Sequence, residues 1–215
     1  PRYRDLVSAV RKLESFEDFK APPLKTKAGK TQRGGTRVLA DQAACPFRAF
    51  AKWRLAAEAL EETTDGLDAR TRGSLLHAFM KFVWEKTRVS EVLQSNPEGA
   101  LASAAEQAIE ELEIEGRFAE LERARLVRLG REWLQVEAKR EPFEVKAVEE
   151  KRPVEVAGLT FATRIDRVDA LSSGGHALID YKSGAQVSLG DWMGERPDDP
   201  QLPLYALNAK EEITA

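Results

Sequence analysis

The run Ile179-Asp-Tyr-Lys-Ser-Gly184 sets an acid two residues before an amine. Read as a strand, it puts Asp180 and Lys182 on one side, about 6–7 Å apart along the chain. A carboxylate so placed can hold a hard divalent ion, while the ammonium holds a nucleophilic water or the charge developing on a phosphate. Upstream, Asp166 sits in Arg164-Ile-Asp-Arg-Val-Asp169. If the two segments are antiparallel neighbours, Asp166 and Asp180 can converge on one ion. His77, in Arg72-Gly-Ser-Leu-Leu-His77, adds an imidazole near the start of a helix, off its apolar stripe. Gln201 and Tyr205, at i and i+4, share one face of a later helix. Each group has an ordinary structural reading beside the chemical one. Asp-x-Lys is a common surface ion pair, a lone helix histidine is more often half-exposed structure, and Tyr205 with Gln201 reads equally as a core residue beside a surface one.

The elements that would carry these residues follow from periodicity and breakers. Leu39, Ala43, Phe47, Phe50 and Trp53 recur at helical spacing with a break at Pro46. Asp65-Gly66 reads as a turn, after which Leu75, Leu76, Phe79, Phe82 and Val83 form one stripe of a helix from about Thr71. Asn96-Pro97-Glu98 is a helix start, a cap followed by proline in the first turn. That helix runs to about Glu115, and a longer one covers 118–140 with Leu121, Leu129, Trp133 and Val136 as candidates for burial. Beyond Pro142 the pattern turns β-rich: Phe143–Val148, Val154–Val156, a turn at Ala157-Gly158, then Leu159–Asp169, a loop at Ser172–Gly175 and a strand over Ala177–Lys182. Helical spacing returns over Pro200–Lys210, with Pro203 tolerable in the first turn. Helices, an antiparallel meander and a closing helix imply a mixed α/β fold, a sheet covered by helices.

Charge and composition narrow the classes. The 36 acids and 33 bases leave a net charge of −3, so a basic coat over the whole chain is excluded. The charge is segregated, however. Residues 98–122 hold eight acids and one base, whereas residues 19–37 hold six bases and no acid, with Pro22-Pro23 and Gly34-Gly35. The latter stretch reads as an extended arm or linker over 1–37. Ala28-Gly-Lys-Thr31 lacks the earlier glycine of a phosphate-binding loop, since Leu24 stands there. The acidic helix is expected to face away from any polyanion. Lys52, Arg54, Arg164 and Arg167 are expected to include residues on the approach. The longest uncharged runs are ten residues, Ala170–Ile179 and Pro200–Ala209, against about 20 for a membrane span. Pro1-Arg-Tyr-Arg-Asp5 contains no apolar core of a signal peptide, and one cysteine, Cys45, allows no internal disulfide. A reducing, cytoplasmic setting is expected, without membrane contact. The missing initiator Met suggests a piece of a longer protein.

Taken together and in order, Gly73-x-x-x-His77, an acid in Val148-Glu-Glu150, Arg164-Ile-Asp-Arg167, Asp180-Tyr-Lys182-x-Gly184 and Gln201-x-x-x-Tyr205 resemble the RecB-type nucleases of the PD-(D/E)XK superfamily. The resemblance covers roughly residues 38–210, and Trp192-Met-Gly-Glu-Arg-Pro197 before Gln201 is most similar to the C-terminal nuclease domain of AddB-like bacterial DNA-repair proteins. It implies a restriction-endonuclease-like mixed sheet flanked by helices, with a helical N-terminal part. The nuclease domain would occupy 38–215, divided into a helical part at 38–140 and a sheet core with the last helix at 141–215.

The resemblance also implies a Mg2+- or Mn2+-dependent deoxyribonuclease of DNA repair or recombination, working beside a helicase-like region or subunit. His77, Asp166 and Asp180 would be metal ligands, and Lys182 would orient or activate the attacking water. The first-strand acid would be Glu149 or Glu150; strand parity with Phe143, Val145 and Ala147 favours Glu149. Gln201, Tyr205 and Arg164 would contact DNA or brace the site. Thr163 stands where the family often has glycine. Cys45-Pro-Phe-Arg-Ala-Phe50 matches a segment that in some relatives supplies the first cysteine of an iron–sulfur cluster, but no further cysteine is present, so no cluster is expected in this chain and Cys45 is expected to be small and buried. The rival reading is a catalytically degenerate DNA-binding or scaffold module of the same fold. The intact Asp166, Asp180 and Lys182 favour the enzyme.

Overall fold

A computed structural model describes residues 31–58, 60, 66–87, 96–184 and 188–209. Most of the basic arm and Asp65 lie outside the described residues. Six α-helices and three strands are described: α1 (Arg37–Ala44), α2 (Pro46–Ala49) running into a π-helical turn at Phe50–Arg54, α3 (Ala69–Lys86), α4 (Pro97–Glu111), α5 (Gly116–Glu137), β1 (Phe143–Val156), β2 (Leu159–Leu171), β3 (His176–Ile179) and α6 (Gln201–Leu207), with a 3₁₀ turn at Leu189–Trp192 before α6.

The helix boundaries follow the sequence signals. Asn96 caps α4 by accepting the Gly99 N–H at 3.2 Å, with Pro97 next. Asp68 caps α3 through the Thr71 N–H at 2.6 Å. Pro46 divides α1 from α2, where Cys45 takes an extended conformation. Cys45 is a free thiol, half-buried rather than buried as expected, because it lies in that break and not on a packed face. Buried Asp41 ties the region together, accepting the Trp53 Nε1–H at 2.9 Å and pairing with Arg48 and Lys52. Burial opposes its ionisation, but Lys52 and Trp53 outweigh it and hold its carboxyl below the usual range.

The strands form an antiparallel sheet in the order β1-β2-β3, and a parallel pairing enters through an isolated bridge from Gln32 to Phe161. Ala157 and Gly158, both at positive φ, make the two-residue turn of the long β1–β2 hairpin. β1 is continuous across 14 residues, where the sequence shows two separate runs. Its register shifts between Val145 and Ala147, so the alternation of faces restarts there. Phe143, Val145 and Val148 pack towards the helices, and Ala147 packs with Ile165, Val168 and Leu178 against Leu202 and Tyr205 of α6. The sheet is thus covered by α3, α4 and α5 on one face and by α6 on the other.

The larger core lies under α3. Leu75, Phe79, Val83 and Trp84 meet Leu101, Ala104, Ala105 and Ala108 of α4, whose small side chains allow a close helix approach. On α5 the buried positions are Ala119, Glu122, Leu126 and Gly130, with Trp133 partly buried against Trp84. Leu121 and Val136, expected to be buried, are exposed. Glu122 takes the inward place because Arg125 and Arg72 pair with it, an interaction that apolar periodicity does not register.

Gly130 permits the closest packing: a Cβ there would lie 2.6 Å from Leu101 Cδ2 and 2.9 Å from Phe79 Cζ. Both neighbours are fully buried. Gly130→Ala gains about 1 kcal/mol of helix propensity but overpacks the core at a cost of about 1–3 kcal/mol. A net loss of about 1 kcal/mol is expected in urea denaturation. A more stable variant would show that α5 sits looser on α3.

Arg167 occupies the middle of this core. Expected among residues on a nucleic-acid approach, it is fully buried. Its guanidinium lies 4.3 Å from the Trp84 ring centroid and 5.1 Å from that of Phe143. It bonds Glu137 at 3.0 and 3.1 Å, Asp169 at 2.9 Å and the Tyr181 hydroxyl at 3.1 Å. Lys52 is likewise engaged elsewhere, with Asp41. Among the described residues no helix is long and apolar enough to cross a membrane.

Candidate active site

One open cleft of about 960 Å3 runs between α3, the start of α1, the β1–β2 hairpin and α6. α3 turns Gly73, His77 and Lys81 towards it at successive turns. The hairpin brings Glu149, Arg164 and Asp166, the segment after β3 brings Asp180, Lys182 and Gly184, and α6 brings Gln201 and Tyr205. All five motif groups read from the sequence therefore meet in one place.

Asp166 is nearly buried and fixed from both sides. Its Oδ2 accepts the Tyr181 backbone N–H at 2.7 Å, and its Oδ1 lies 3.2 Å from His77 Nδ1. His77 Nδ1 also lies 3.9 Å from Glu149 Oε1. This imidazole nitrogen is enclosed and makes no well-aligned hydrogen bond. One potential ligand atom each from His77, Glu149 and Asp166 lies within 4.8 Å of the others. Two carboxylates facing an enclosed, unsatisfied imidazole nitrogen is a donor set that fits a hard divalent cation.

The ionisable groups of the cluster act on one another. Asp166 beside His77 raises the imidazole above its ordinary value, against its burial, with Glu149 and Asp180 adding to the rise. Burial pushes Glu149 up, although Arg164, at 2.6 Å, and His77 oppose this. A histidine raised in the folded state stabilises the metal-free protein at low pH, and that contribution fades as pH rises through the raised value.

Glu149, not Glu150, reaches the cleft; Glu150 pairs with Arg152 at 2.8 Å. Strand parity points to the residue that lines the cleft, but for the wrong reason, because the shift near Lys146 breaks the parity with Phe143 and Val145. Glu149 instead takes φ +52°, and the ladder passes from Val148↔Arg167 to Glu150↔Ile165 without it. A left-handed glutamate inside a strand is strained backbone, kept where the surroundings require it.

Asp180 and Lys182 lie beyond β3, which ends at Ile179 rather than Lys182. They share the cleft nonetheless, with Lys182 Nζ 2.8 Å from Asp180 Oδ2 and 3.1 Å from Asp199 Oδ2. Burial disfavours charge on Lys182, but the two carboxylates outweigh it and raise the amine. Burial also raises Asp180, against the pull of Lys182. Gln201 Nε2 donates to Asp180 Oδ1 at 2.6 Å. The Tyr205 hydroxyl donates to the Arg164 carbonyl at 2.7 Å and accepts its N–H at 3.3 Å, so Gln201 and Tyr205 both close on residues of the cleft wall.

Two charged residues that bear on the cleft are missed, Lys81 on its wall and Asp199 as a partner of Lys182. Lys81, one turn after His77, bonds Glu111 of α4 at 2.9 Å; its i+4 spacing from His77 was the available signal. Asp199 had none beyond its nearness to Gln201. The acidic helix faces away only in part. Glu98 and Glu106 pair with Arg131 and Arg123 of α5, while Glu111 lines the cleft.

This arrangement of a hairpin carboxylate pair, a helix histidine and an Asp-x-Lys segment defines a class. The model of the PD-(D/E)XK nuclease superfamily matches residues 38–214, and the chain belongs to that superfamily. No curated protein and no solved structure matches it.

Proposed function

We propose that the chain is a Mg2+- or Mn2+-dependent deoxyribonuclease that hydrolyses phosphodiester bonds in the described cleft. The observation that carries this is the convergence of His77, Glu149 and Asp166 within ligand-sharing distance, with Asp180 and Lys182 in the same cleft. A divalent cation there supplies positive charge to a phosphate oxygen and lowers the pKa of water. His77, Glu149 and Asp166 would hold it. Asp180 is the remaining ligand of the proposed set, its Oδ1 steered by Gln201 and its Oδ2 by Lys182. Lys182, kept as an ammonium by Asp180 and Asp199, acts as a donor: it orients the attacking water and stabilises charge on the phosphate. Tyr205 braces the Arg164 backbone two residues before Asp166. A degenerate scaffold of the same fold is disfavoured because the acids, the histidine and the lysine all face one cleft.

The likeness of Trp192–Pro197 and Gln201–Tyr205 to AddB-like proteins supports placing this activity in DNA repair or recombination, inside a larger helicase–nuclease assembly. End-labelled single- and double-stranded DNA incubated with Mg2+, with Mn2+ or with EDTA tests the reading. Cleavage is expected with either ion and none in EDTA; a lack of cleavage with both ions overturns the proposal.

The raised imidazole gives this site a pH signature. An ion must displace the proton that Asp166 helps His77 to keep. Mn2+ affinity is therefore expected to rise with pH, up to about tenfold per unit while His77 is still protonated. Calorimetric titration at several pH values measures it, and a flat profile between about pH 6 and 8 would remove His77 from the ligand set.

A further inference from the structure

The segment that carries Asp180 and Lys182 is not held by the sheet. The β2–β3 ladder closes at Arg167↔Ile179, where β3 ends. Beyond it, the one hydrogen bond made by the backbone of residues 180–184 among the described residues runs from the Tyr181 N–H to Asp166 Oδ2, at 2.7 Å. A stretch with so few backbone bonds opens easily unless its side chains hold it. Asp180 and Lys182 pair with each other and with Gln201 and Asp199. Tyr181, between them, reaches the other way. Its ring packs against the larger core and meets Trp133 edge-on at 6.2 Å between centroids. The same ring meets His77 edge-on at 6.3 Å. Its hydroxyl accepts a 3.1 Å hydrogen bond from Arg167 Nη1, and the fully buried Arg167 is bonded in turn to Glu137 and Asp169. Tyr181 thus touches two members of the ligand cluster, His77 by its ring and Asp166 by its amide, and ends on the most enclosed charge of the core.

We propose that Tyr181 is a positioning residue for the metal site: bonded to Arg167, it fixes the segment after β3, so that Asp180 and Lys182 keep their places and its N–H holds the Asp166 carboxylate beside His77. The role rests on the nuclease reading and adds to it a residue that takes no part in the chemistry. A ring held by apolar contacts alone can slide along its own axis. A hydroxyl bonded to a guanidinium that is itself tied to two carboxylates cannot, so the backbone at residue 181 is set from the core outwards. Groups that orient metal ligands in this way are typically worth about 10–100-fold in affinity or activity, and a misplacement of about 1 Å costs on the order of a hundredfold in rate.

Tyr181→Phe deletes the hydroxyl and keeps the ring. Its Mn2+ affinity, measured by calorimetry, is expected to fall about tenfold. In saturating Mn2+, kcat for DNA cleavage should fall by about ten- to a hundredfold, with KM for DNA changing less than about twofold. Gly130→Ala, which disturbs the core between α5 and its neighbours Leu101 and Phe79, is the control for lost stability alone and should keep the wild-type Mn2+ affinity and kcat. Amide hydrogen exchange in the metal-free protein adds a readout that needs neither metal nor cutting. Relative to the amides of α4, which report wider opening, the residue 181 N–H should exchange roughly tenfold faster in Tyr181→Phe and at the wild-type ratio in Gly130→Ala. A wild-type protein that neither binds Mn2+ nor cuts DNA overturns the nuclease reading and this role with it. A wild type that binds and cuts, beside a Tyr181→Phe variant with unchanged affinity, kcat and exchange, overturns the positioning role alone. Equal losses in Gly130→Ala overturn it too, since the effect would then be general stability.

Discussion

Lys182→Ala is expected to lower kcat for DNA cleavage by about a thousandfold or more while leaving the fold intact, the scale seen when a group that stabilises developing charge is removed. Lys182 is about one-third exposed and touches two carboxylates, Asp180 of the cleft wall and Asp199. Removing it leaves no cavity in either core cluster. Its ammonium acts on charge that builds up during the reaction, so the loss should fall on kcat with KM little changed. Asp180→Asn separates the two roles at this corner: it should lower kcat as severely and also weaken Mn2+ binding, which Lys182→Ala should not. A Lys182→Ala protein that cuts DNA at the wild-type rate would exclude the proposed chemistry.

The largest expected effect on stability is at Arg167. Arg167→Ala is expected to cost about 3–5 kcal/mol in urea denaturation, because it leaves the fully buried Asp169 carboxylate with Arg140 as its remaining cationic partner. It also empties the space beside Trp84 and Phe143. The network is strained by its own burial: Arg167 Nε and Asp169 Oδ1 are enclosed without hydrogen-bond partners among the described residues, and burial pushes Asp169 up despite Arg167 and Arg140. Replacing both ends, Arg167→Met with Asp169→Leu, should therefore recover most of the loss. A single-variant loss below about 1 kcal/mol, the scale of a solvated pair, would mean that water reaches this pair.

These two residues show where reading the sequence succeeds and where it stops. The place of Lys182 in the cleft was legible because its signal is local: an acid two residues away, then a glycine, with Asp166, His77 and Gln201 at family spacing. The Ala157-Gly158 turn and the Asn96 cap were legible for the same reason, since a dipeptide or a tetrapeptide decides them. Arg167 was not, because it looks like a surface base between two aspartates. Its burial depends on Glu137, Trp84 and Trp133, brought together from separate elements. Glu122 in place of Leu121 on the buried face of α5 is the same failure, as its partner Arg72 is fifty residues away. The shift near Lys146 was invisible as well, since nothing in Val145-Lys-Ala147 marks a change of register. Glu149 therefore arrives in the cleft through its left-handed backbone and not through simple alternation.

The ligand cluster also spans two parts of the chain that meet elsewhere through packing and the buried Arg167–Glu137 pair. His77 belongs to the helical portion, and Glu149 and Asp166 belong to the hairpin. A cation held by all three would be a rivet between them. By linkage, free ion at a hundred times its dissociation constant adds about 2.7 kcal/mol to the folded state. The cohesion of the molecule, and not only the proposed cutting, would then be tied to the supply of divalent cation.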